Sequence, residues 1–249
     1  MSTDQLAPEG TLRRSVDLFR AFRVEQTDPD RFYGLLAADS ARQVSQYTDL
    51  AGATVLDVGG GPGYFADAFE NRGARYVAID ADLGEMSAKT APGAGTVLGS
   101  GTALPIRTGS IDLCYSSNVL EHVDTPERMA DEMVRVTRPG GVVFLSYTLW
   151  WGPWGGHETA PWHYLGGHYA ARRYARRYGK RPKNVFGESL FPITAGRMLR
   201  WARRRAAAGS VEVVDILPRY HPAAMRWLVR VPVVRELIVW NLVLVLRAC

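Results

Sequence analysis

The spacing of apolar residues changes along the chain, and its first part reads as helical. Over residues 11–24, apolar side chains recur every three to four positions, which predicts an amphipathic helix with Thr11 as its N-cap. A second helix is predicted to follow Asp28-Pro29 and to end near Tyr47. We therefore expect residues 1–50 to form an N-terminal helical flap.

From residue 54 onward, short β-rich runs alternate with helical patterns. This alternation predicts a parallel sheet joined by right-handed crossovers, with helices on both faces. The predicted strands are 54–58, 76–80, 96–99, 111–116 and 142–148, and the predicted helices are 64–72, 83–89 and 126–136. The run Arg138-Pro139-Gly140-Gly141 is predicted to end the last of these helices before the next strand begins.

Residues 149–208 interrupt the alternation. This segment is rich in Trp, Tyr, His, Gly and Arg and has no strand-like pattern. Strands resume at 211–217 and 241–247, and residues 223–239 between them predict one or two short helices broken by Pro232. The sequence therefore predicts a single α/β domain over residues 1–249, with an insertion before its last two strands.

The composition indicates a globular protein without a membrane span. Hydrophobic residues make up 47% of the chain and charged residues 22%. Two cysteines indicate no disulfide framework, and Cys114, in an apolar run, is predicted to be buried. Residues 1–10 contain no apolar signal segment, and the charge-free apolar run 237–246 is shorter than the ~20 residues that span a bilayer. We expect a cytoplasmic location.

The net charge of +5 is unevenly distributed along the chain. Residues 1–149 carry 13 basic and 20 acidic side chains, whereas residues 150–249 carry 17 and 5. A basic half favours an anionic partner. Residues 225–239 interleave arginines with apolar residues as interfacial helices do, which favours peripheral contact with the anionic inner face of a membrane over nucleic acid. A solvated basic face and a helix packed beside the last strand remain open as alternatives.

A glycine-rich turn follows the first predicted strand. Gly59, Gly61 and Gly63 can take positive φ and let a ligand approach the backbone where the next helix begins. Residues 61–66 also fit the dinucleotide pattern G-x-G-x-x-A. Asp57 favours a cationic amino-acid ligand such as S-adenosylmethionine, because a carboxylate there would repel a pyrophosphate. Asp80, which ends the second predicted strand, suits the ribose hydroxyls of either cofactor.

These motifs occur in the order found in a known family. They are the run Val55–Phe65, then Asp80, Leu104-Pro105, the run Ile111–Val123 with its Ser-Asn-Val-Leu-Glu-His-Val ending, and Arg138-Pro139-Gly140-Gly141. Over residues 54–148 the chain resembles the class I S-adenosylmethionine-dependent methyltransferases, in their small-molecule type 11 branch. Residues 151–165, 187–192 and 218–246 further resemble an actinobacterial subgroup of these enzymes. That second resemblance implies little about the acceptor.

The family resemblance implies the fold, the cofactor and its binding residues. The fold would be a doubly wound, mostly parallel seven-stranded sheet with an antiparallel last strand, and the cofactor S-adenosylmethionine, with S-adenosylhomocysteine as product. Gly59, Gly61 and Gly63 would line the methionine portion, Asp80 would hold the ribose, Ala81 and Leu83 would flank the adenine, and the backbone of 116–118, which includes Asn118, would lie near the methionine amine. Thr102 stands where the family often has an acid that binds the adenine amine.

Methyl transfer to a hydroxyl commonly needs a base, and histidines supply the candidates. His157 and Glu158 follow two glycines in the insertion, which we expect on the acceptor side, and His157 is the predicted base or acceptor-orienting group. His122 is a second candidate base, or a support for the loop after the fourth strand. The alternative is that these histidines have no catalytic role and form hydrogen bonds to the loop backbone or face solvent. We predict no metal, because His157, His163 and His168 match no compact ligand spacing.

The sequence therefore predicts transfer of a methyl group from S-adenosylmethionine to a small-molecule, glycosyl or lipid-linked acceptor, at a hydroxyl oxygen. The tryptophans of the insertion suit such an acceptor as aromatic walls, and they equally suit the core of the insertion. Two further functions stay open. One is an NAD-type oxidoreductase, which residues 61–66 allow, and the other is a non-catalytic cofactor-binding module that docks at a membrane or a partner.

Overall fold

The computed structural model describes residues 10–24, 27–87 and 95–249. Its first elements are two helices, α1 (Leu12–Phe22) and α2 (Pro29–Val44). Helix α1 begins at its predicted cap, since the side chain of Thr11 accepts a hydrogen bond from the Arg14 amide. Helix α2 begins at Pro29, where the side chain of Asp28 accepts a hydrogen bond from the Arg31 amide. The two predicted helices are confirmed; residues 1–9, where no signal segment is expected, and 25–26 lie outside the described ranges.

Seven strands form one central sheet. They are β1 (Thr54–Val58), β2 (Arg75–Asp80), β3 (Thr96–Leu98), β4 (Ile111–Ser117), β5 (Thr137–Thr148), β6 (Val211–Pro218) and β7 (Asn241–Ala248). The strand order is β3-β2-β1-β4-β5-β7-β6, in which β1 to β5 are parallel and β7 lies antiparallel between β5 and β6. The predicted doubly wound, mostly parallel sheet with an antiparallel last strand is confirmed.

Helices connect the strands and build the insertion. They are α3 (Ala66–Glu70), α4 (Leu83–Met86), α5 (Pro126–Val136), α6 (Gly167–Tyr178), α7 (Ala195–Ala207) and α8 (Pro232–Ile238), with 3-10 segments at Leu120–His122, His157–Thr159, Trp162–Leu165 and Ala223–Arg230. The helix predicted over 83–89 is observed at Leu83–Met86, Ser87 is a turn, and residues 88–89 fall outside the described part of the chain. Pro232 begins α8, as its fixed φ favours. No helix in the described ranges has the length and hydropathy to cross a bilayer.

The start of β5 differs from the prediction. Thr137 already pairs with Ile111, and the register then shifts between Ile111 and Leu113. This irregularity lets the strand begin five residues earlier than position 142, because a bulge absorbs the extra residues around Gly140, whose φ is 77°. The run that ends α5 therefore also belongs to the strand that follows.

The sheet separates two hydrophobic cores. On β4, Leu113 and Tyr115 contribute to one core and Cys114 to the other, as the two-residue period of a strand requires. The first core is completed by α2 and α3, and the second by α5 and α7. Cys114 is fully buried, as predicted.

Part of the charge asymmetry is neutralised within the fold. The basic helix α7 packs near the acidic helix α5: Arg197 Nε lies 2.6 Å from Glu127 Oε1, and Arg205 forms an ion pair with Asp131. Trp201 Nε1 donates a further hydrogen bond to Asp131 at 2.8 Å. The difference in charge between the two halves of the sequence is therefore not entirely available to an outside partner.

A buried arginine joins the flap to the carboxyl ends of the central strands. Arg219 is 0% exposed and donates hydrogen bonds to the hydroxyls of Ser40 on α2, Ser117 on β4 and Ser146 on β5, at 2.6, 2.7 and 2.6 Å. Its own carbonyl accepts a hydrogen bond from Arg14 on α1 at 3.0 Å. Sequence reasoning did not identify Arg219, because an arginine is rarely buried.

We predict that Arg219→Ala lowers the free energy of unfolding by about 3 kcal/mol, because it leaves a cavity and removes several buried hydrogen bonds. Urea denaturation followed by circular dichroism measures this difference. Arg230→Ala is the matched control, since Arg230 is exposed and its truncation should change stability by less than about 0.5 kcal/mol. Equal stability of the two variants would contradict the role given to Arg219.

Candidate functional site

The glycine turn after β1 has the backbone that a close ligand requires. Gly59, Gly61 and Gly63 have φ of 81°, 48° and 80°, a region that other residues rarely adopt. A Cβ on Gly59 would lie 2.3 Å from the side chain of Val119, so this glycine also lets the turn contact the segment after β4. A Cβ on Gly61 or Gly63 would meet no described protein atom within 4 Å. The open backbone there forms a cradle for a ligand.

Asp57 lies beneath this turn. Its carboxyl is 2% exposed and accepts a hydrogen bond of 2.5 Å from the Tyr76 hydroxyl. Burial raises the pKa of Asp57 to about 7, although the Tyr76 hydrogen bond acts in the opposite direction. The nearby Asp80 raises this pKa further. A cationic ligand group would stabilise the ionised form of Asp57.

Asp80 ends β2 beside the turn, because Val58 pairs with its neighbour Ile79. One carboxylate oxygen accepts the Gly61 amide at 3.0 Å and the other the Asp82 amide at 2.9 Å. A carboxylate oxygen can accept a second hydrogen bond, so both oxygens suit ribose hydroxyls. Ala81 is exposed and Leu83, at the start of α4, is 58% exposed, which gives apolar surface next to the acid. These residues and the glycine cradle fit S-adenosylmethionine.

The remaining predicted cofactor residues are partly committed to protein contacts. The Thr102 hydroxyl lies 2.9 Å from that of Ser100, and its role toward the adenine amine stays a prediction. Asn118 has a left-handed φ of 57°, and its side-chain oxygen accepts a hydrogen bond of 2.6 Å from Asn241 on β7. The contact of the 116–118 backbone with the methionine amine stays a prediction.

Three titratable side chains meet where β4 and the insertion come together. The ring centroids of His122 and His157 are 5.1 Å apart. Glu121 is 1% exposed, and together the three residues offer ligand atoms that lie within 4.8 Å of one another. We call these residues the Glu-His-His cluster. Sequence reasoning missed Glu121, although its position directly before His122 after a strand end was a usable signal.

The hydrogen bonds of the cluster leave some of its atoms free. Glu121 Oε1 accepts the Thr148 amide at 3.1 Å, whereas its Oε2 has no hydrogen-bond partner among the described residues. His122 Nδ1 lies 2.7 Å from the Ser189 carbonyl oxygen. Burial lowers the pKa of His157, and the neighbouring His122 lowers it further, so the neutral imidazole is favoured at pH 7.

The other candidates of the insertion do not join this cluster. Glu158 is exposed, and its carboxylate accepts hydrogen bonds from the backbone and side chain of Asn184 at 2.7 and 2.9 Å. His163 is fully buried, with Nε2 3.2 Å from the Gly152 carbonyl oxygen. His168 packs against Phe186, with ring centroids 4.9 Å apart. Of the predicted acceptor-side residues, only His157 reaches His122.

Aromatic side chains surround the site in two different ways. Tyr33 of α2 stacks on Tyr64, directly after the turn, with centroids 4.7 Å apart, so the flap covers this side of the cradle. Trp150 is 5% exposed and belongs to the core of the insertion. Trp151 and Trp162 are 40% and 39% exposed. The core role is therefore observed for Trp150, whereas the use of the exposed tryptophans as acceptor walls stays a prediction.

Comparisons with known proteins agree with this geometry. Residues 56–145 match the family model of a methyltransferase domain. The chain is 55% identical over 256 residues to a protein of Mycolicibacterium gilvum named "uncharacterized methyltransferase", with 99% of this chain and 98% of that protein covered. It is 49% identical to a protein of the same name from Mycobacteroides abscessus, with 98% of each covered.

Solved structures share the fold at much lower identity. An S-adenosylmethionine-dependent methyltransferase from Mesorhizobium loti superimposes with a TM-score of 0.56 and 19% identity, over 84% of this chain and 97% of that one. The [4+2]-cyclase SpnF superimposes with a TM-score of 0.51 and 17% identity, over 85% and 80%. Likeness at this level shows the fold alone, and it does not name an acceptor.

Family membership rests on the relatives that match along almost the whole length. They set aside the NAD-type oxidoreductase that residues 61–66 allowed, and the non-catalytic module with it. The geometry of the glycine turn and of Asp80 is also consistent with S-adenosylmethionine as the cofactor. The chain thus belongs to the methyltransferase family, and it is an S-adenosylmethionine-dependent enzyme of the class I fold.

Proposed function

We propose that the enzyme methylates a hydroxyl oxygen of a small-molecule, glycosyl or lipid-linked acceptor, which binds at the Glu-His-His cluster. The observation that carries the proposal is the position of the cluster relative to the cofactor turn. Val119 contacts Gly59 of the turn, and Glu121 and His122 follow it by two and three residues. The seat of the methyl donor and the cluster therefore adjoin.

The chemistry of the cluster favours oxygen as the acceptor atom. When bound, S-adenosylmethionine supplies a methyl group on a sulfonium sulfur. A neutral hydroxyl is a poor nucleophile and must lose its proton as the new bond forms, whereas amines need such help less. We assign to Glu121, His122 and His157 the task of holding the acceptor oxygen and assisting that proton loss. This keeps His157 as the acceptor-orienting group that the sequence predicted.

We predict that His157→Gln lowers kcat on the acceptor at least about 100-fold and leaves the affinity for S-adenosylhomocysteine unchanged within about twofold. The acceptor is first identified by incubating extracts with methyl-labelled cofactor and locating the label by mass spectrometry. His168→Gln is the control, because His168 lies outside the cluster. Full turnover by His157→Gln, or a label on nitrogen or carbon, would overturn the proposal.

We further propose that the ionised carboxylate of Asp57 pairs with the ammonium group of the methionine portion, directly or through water. Because the pKa of Asp57 is raised to about 7, this partner is lost by protonation as the pH falls below 7. Folding favours the protonated form of Asp57. Burial of its ionised form therefore does not lower the unfolding free energy at a pH below the pKa of a free aspartate. The lowering grows as the pH rises and reaches its full size above pH 7.

Two effects of Asp57→Asn follow, and they have opposite signs. The affinity for S-adenosylhomocysteine should fall at least about tenfold at pH 8 and lose its decline below pH 7, because the ionised partner is gone. The unfolding free energy of the cofactor-free protein at pH 8 should rise by about 1–3 kcal/mol, because no buried charge remains. Calorimetric titration and urea denaturation across pH 5.5–8 measure the two.

Asp67→Asn, an exposed change on α3, is the control for Asp57→Asn and should alter neither quantity. Unchanged affinity in Asp57→Asn would remove Asp57 from the cofactor site. A pH-independent affinity in the unsubstituted enzyme would contradict the proposed ion pair even if the affinity of the variant fell.

Apolar surface near the site supports an acceptor presented by an anionic membrane. Helix α8 and the 3-10 segment before it lead into β7, whose first residue pairs with Thr148 at the carboxyl end of β5. Trp227, Val233 and Leu237 on these elements are 52%, 69% and 45% exposed. Exposed arginines such as Arg230 accompany them, which suits acidic lipid headgroups.

We predict that the protein co-sediments with vesicles that contain phosphatidylglycerol and not with pure phosphatidylcholine vesicles. The double substitution Trp227→Glu and Val233→Glu should weaken this binding at least about fivefold, because it removes apolar contacts and adds negative charge. The control is Leu98→Glu, because Leu98 is 57% exposed and lies at the far edge of the sheet. Equal binding by all three proteins would contradict the docking surface.

A further inference from the structure

We propose that Glu121, His122 and His157 form a binding site for one divalent cation of the Mn²⁺–Zn²⁺ series. The inference deepens the proposed function and rests on it for its role, because the cation would hold the acceptor oxygen. The three side chains come from two separate segments of the chain, which is why no local ligand spacing announces the site in the sequence.

The separations in the cluster are close to those of a metal site. Their ligand atoms all lie within 4.8 Å of one another. Ligands about 2.1 Å from a common cation lie about 3–3.5 Å apart, so side-chain movements of about 1 Å would close the site. Movements of this size need only small changes of side-chain torsion.

An unsatisfied carboxylate oxygen points independently to a cation. Glu121 is 1% exposed, and its Oε1 is held by the Thr148 amide at 3.1 Å, yet Oε2 has no hydrogen-bond partner among the described residues. Neither histidine donates to it, so the cluster is not a closed Glu–His pair. Leaving a buried carboxyl oxygen without a partner is costly, and a bound cation would remove that cost.

Hydrogen bonds around the cluster orient the imidazoles as metal sites do. A ligating histidine generally donates its second ring N–H to a carbonyl or a carboxylate, which fixes the tautomer. His122 Nδ1 lies 2.7 Å from the Ser189 carbonyl oxygen, and this leaves the lone pair of Nε2 free. His157 Nδ1 faces the Gly155 carbonyl oxygen at 3.5 Å.

The backbone of His157 is also held in an uncommon conformation. Its φ of 49° is unusual for a residue other than glycine, and such conformations concentrate at functional sites. The conformation places the imidazole against His122, with an angle of 76° between the two rings.

The donor set selects the class of cation. Two imidazoles and one carboxylate suit Zn²⁺, Fe²⁺ or Mn²⁺ better than Mg²⁺ or Ca²⁺, which prefer oxygen ligands. Three protein ligands leave coordination positions open for an acceptor hydroxyl, whose pKa the cation would lower. The hydroxyl proton then leaves to water, the oxygen bonds to the methyl carbon, and the electron pair of the broken S–C bond stays on sulfur. No oxidant or further reactant is required.

The test uses tag-free, full-length protein that has been stripped with a chelator and dialysed. Mn²⁺, Zn²⁺ and Mg²⁺ are added separately, and binding is measured by calorimetry, by elemental analysis after desalting and, for Mn²⁺, by electron paramagnetic resonance. We expect about one Mn²⁺ or Zn²⁺ per chain, with Mg²⁺ bound at least about tenfold more weakly. Glu121→Gln and His157→Ala should each weaken Mn²⁺ binding at least about 50-fold, whereas His168→Ala should not.

The outcomes separate this inference from the proposed function. If the stripped enzyme binds neither Mn²⁺ nor Zn²⁺, or if Glu121→Gln and His157→Ala bind them as tightly as the unsubstituted chain, the cation site is wrong. Full O-methylation by stripped enzyme in the presence of chelator would leave hydroxyl methylation standing and reject the cation's role. Stoichiometric Mn²⁺ binding with a product methylated on nitrogen would support the site and reject the proposed acceptor. Thermal unfolding of each variant verifies that binding is compared between folded proteins.

Discussion

The buried guanidinium group of Arg219 holds together the part of the structure that carries the candidate site, namely helix α2 and the carboxyl ends of β4 and β5. A charge without access to water is tolerated only when protein groups replace its hydration, and here hydroxyls of Ser40, Tyr115, Ser117 and Ser146 supply the acceptors. These hydroxyls come from α2, β4 and β5. These hydrogen bonds to the two terminal nitrogens form only while the three elements keep their relative positions, so the flap and the two strand ends are joined at one point.

Two of these hydroxyl groups, those of Ser117 and Ser146, lie just before residues that build the candidate site. Ser117 precedes Asn118, whose left-handed backbone turns the chain toward Glu121 and His122. Ser146 lies two residues before Thr148, whose amide holds Glu121 at 3.1 Å. The end of β4 also carries Val119 against Gly59, so a displacement of this strand would disturb the cofactor turn and the Glu-His-His cluster together.

The sequence predicted those features that are determined locally. Alternating strands and helices predicted the sheet. The proximity of Asp57, Gly59 and Asp80 could also be predicted, because each stands at a strand end, where parallel topology brings them together. Their contact with the cofactor stays a prediction. The cluster was not found, because His157 meets Glu121 only through the path of the insertion. The burial of Arg219 was missed for a similar reason, since its acceptors lie on three distant elements. The sequence predicted that the basic half of the chain faces an anionic partner. Some of its arginines instead pair with acidic residues of the other half, as Arg205 does with Asp131.

The acid before the glycines has a physical meaning beyond its place in a motif. Asp57 is buried with one hydrogen bond from Tyr76, and no basic side chain in the described ranges donates to it, although Arg219 is near enough to lower its pKa. Burial therefore raises the pKa of this carboxyl to about 7, and a cation bound beside it would stabilise the ionised form. An ammonium group would stabilise the charge, whereas a pyrophosphate would add a second anion. The same turn backbone can cradle either class of cofactor, so in our proposal it is the charge of Asp57 that distinguishes between them.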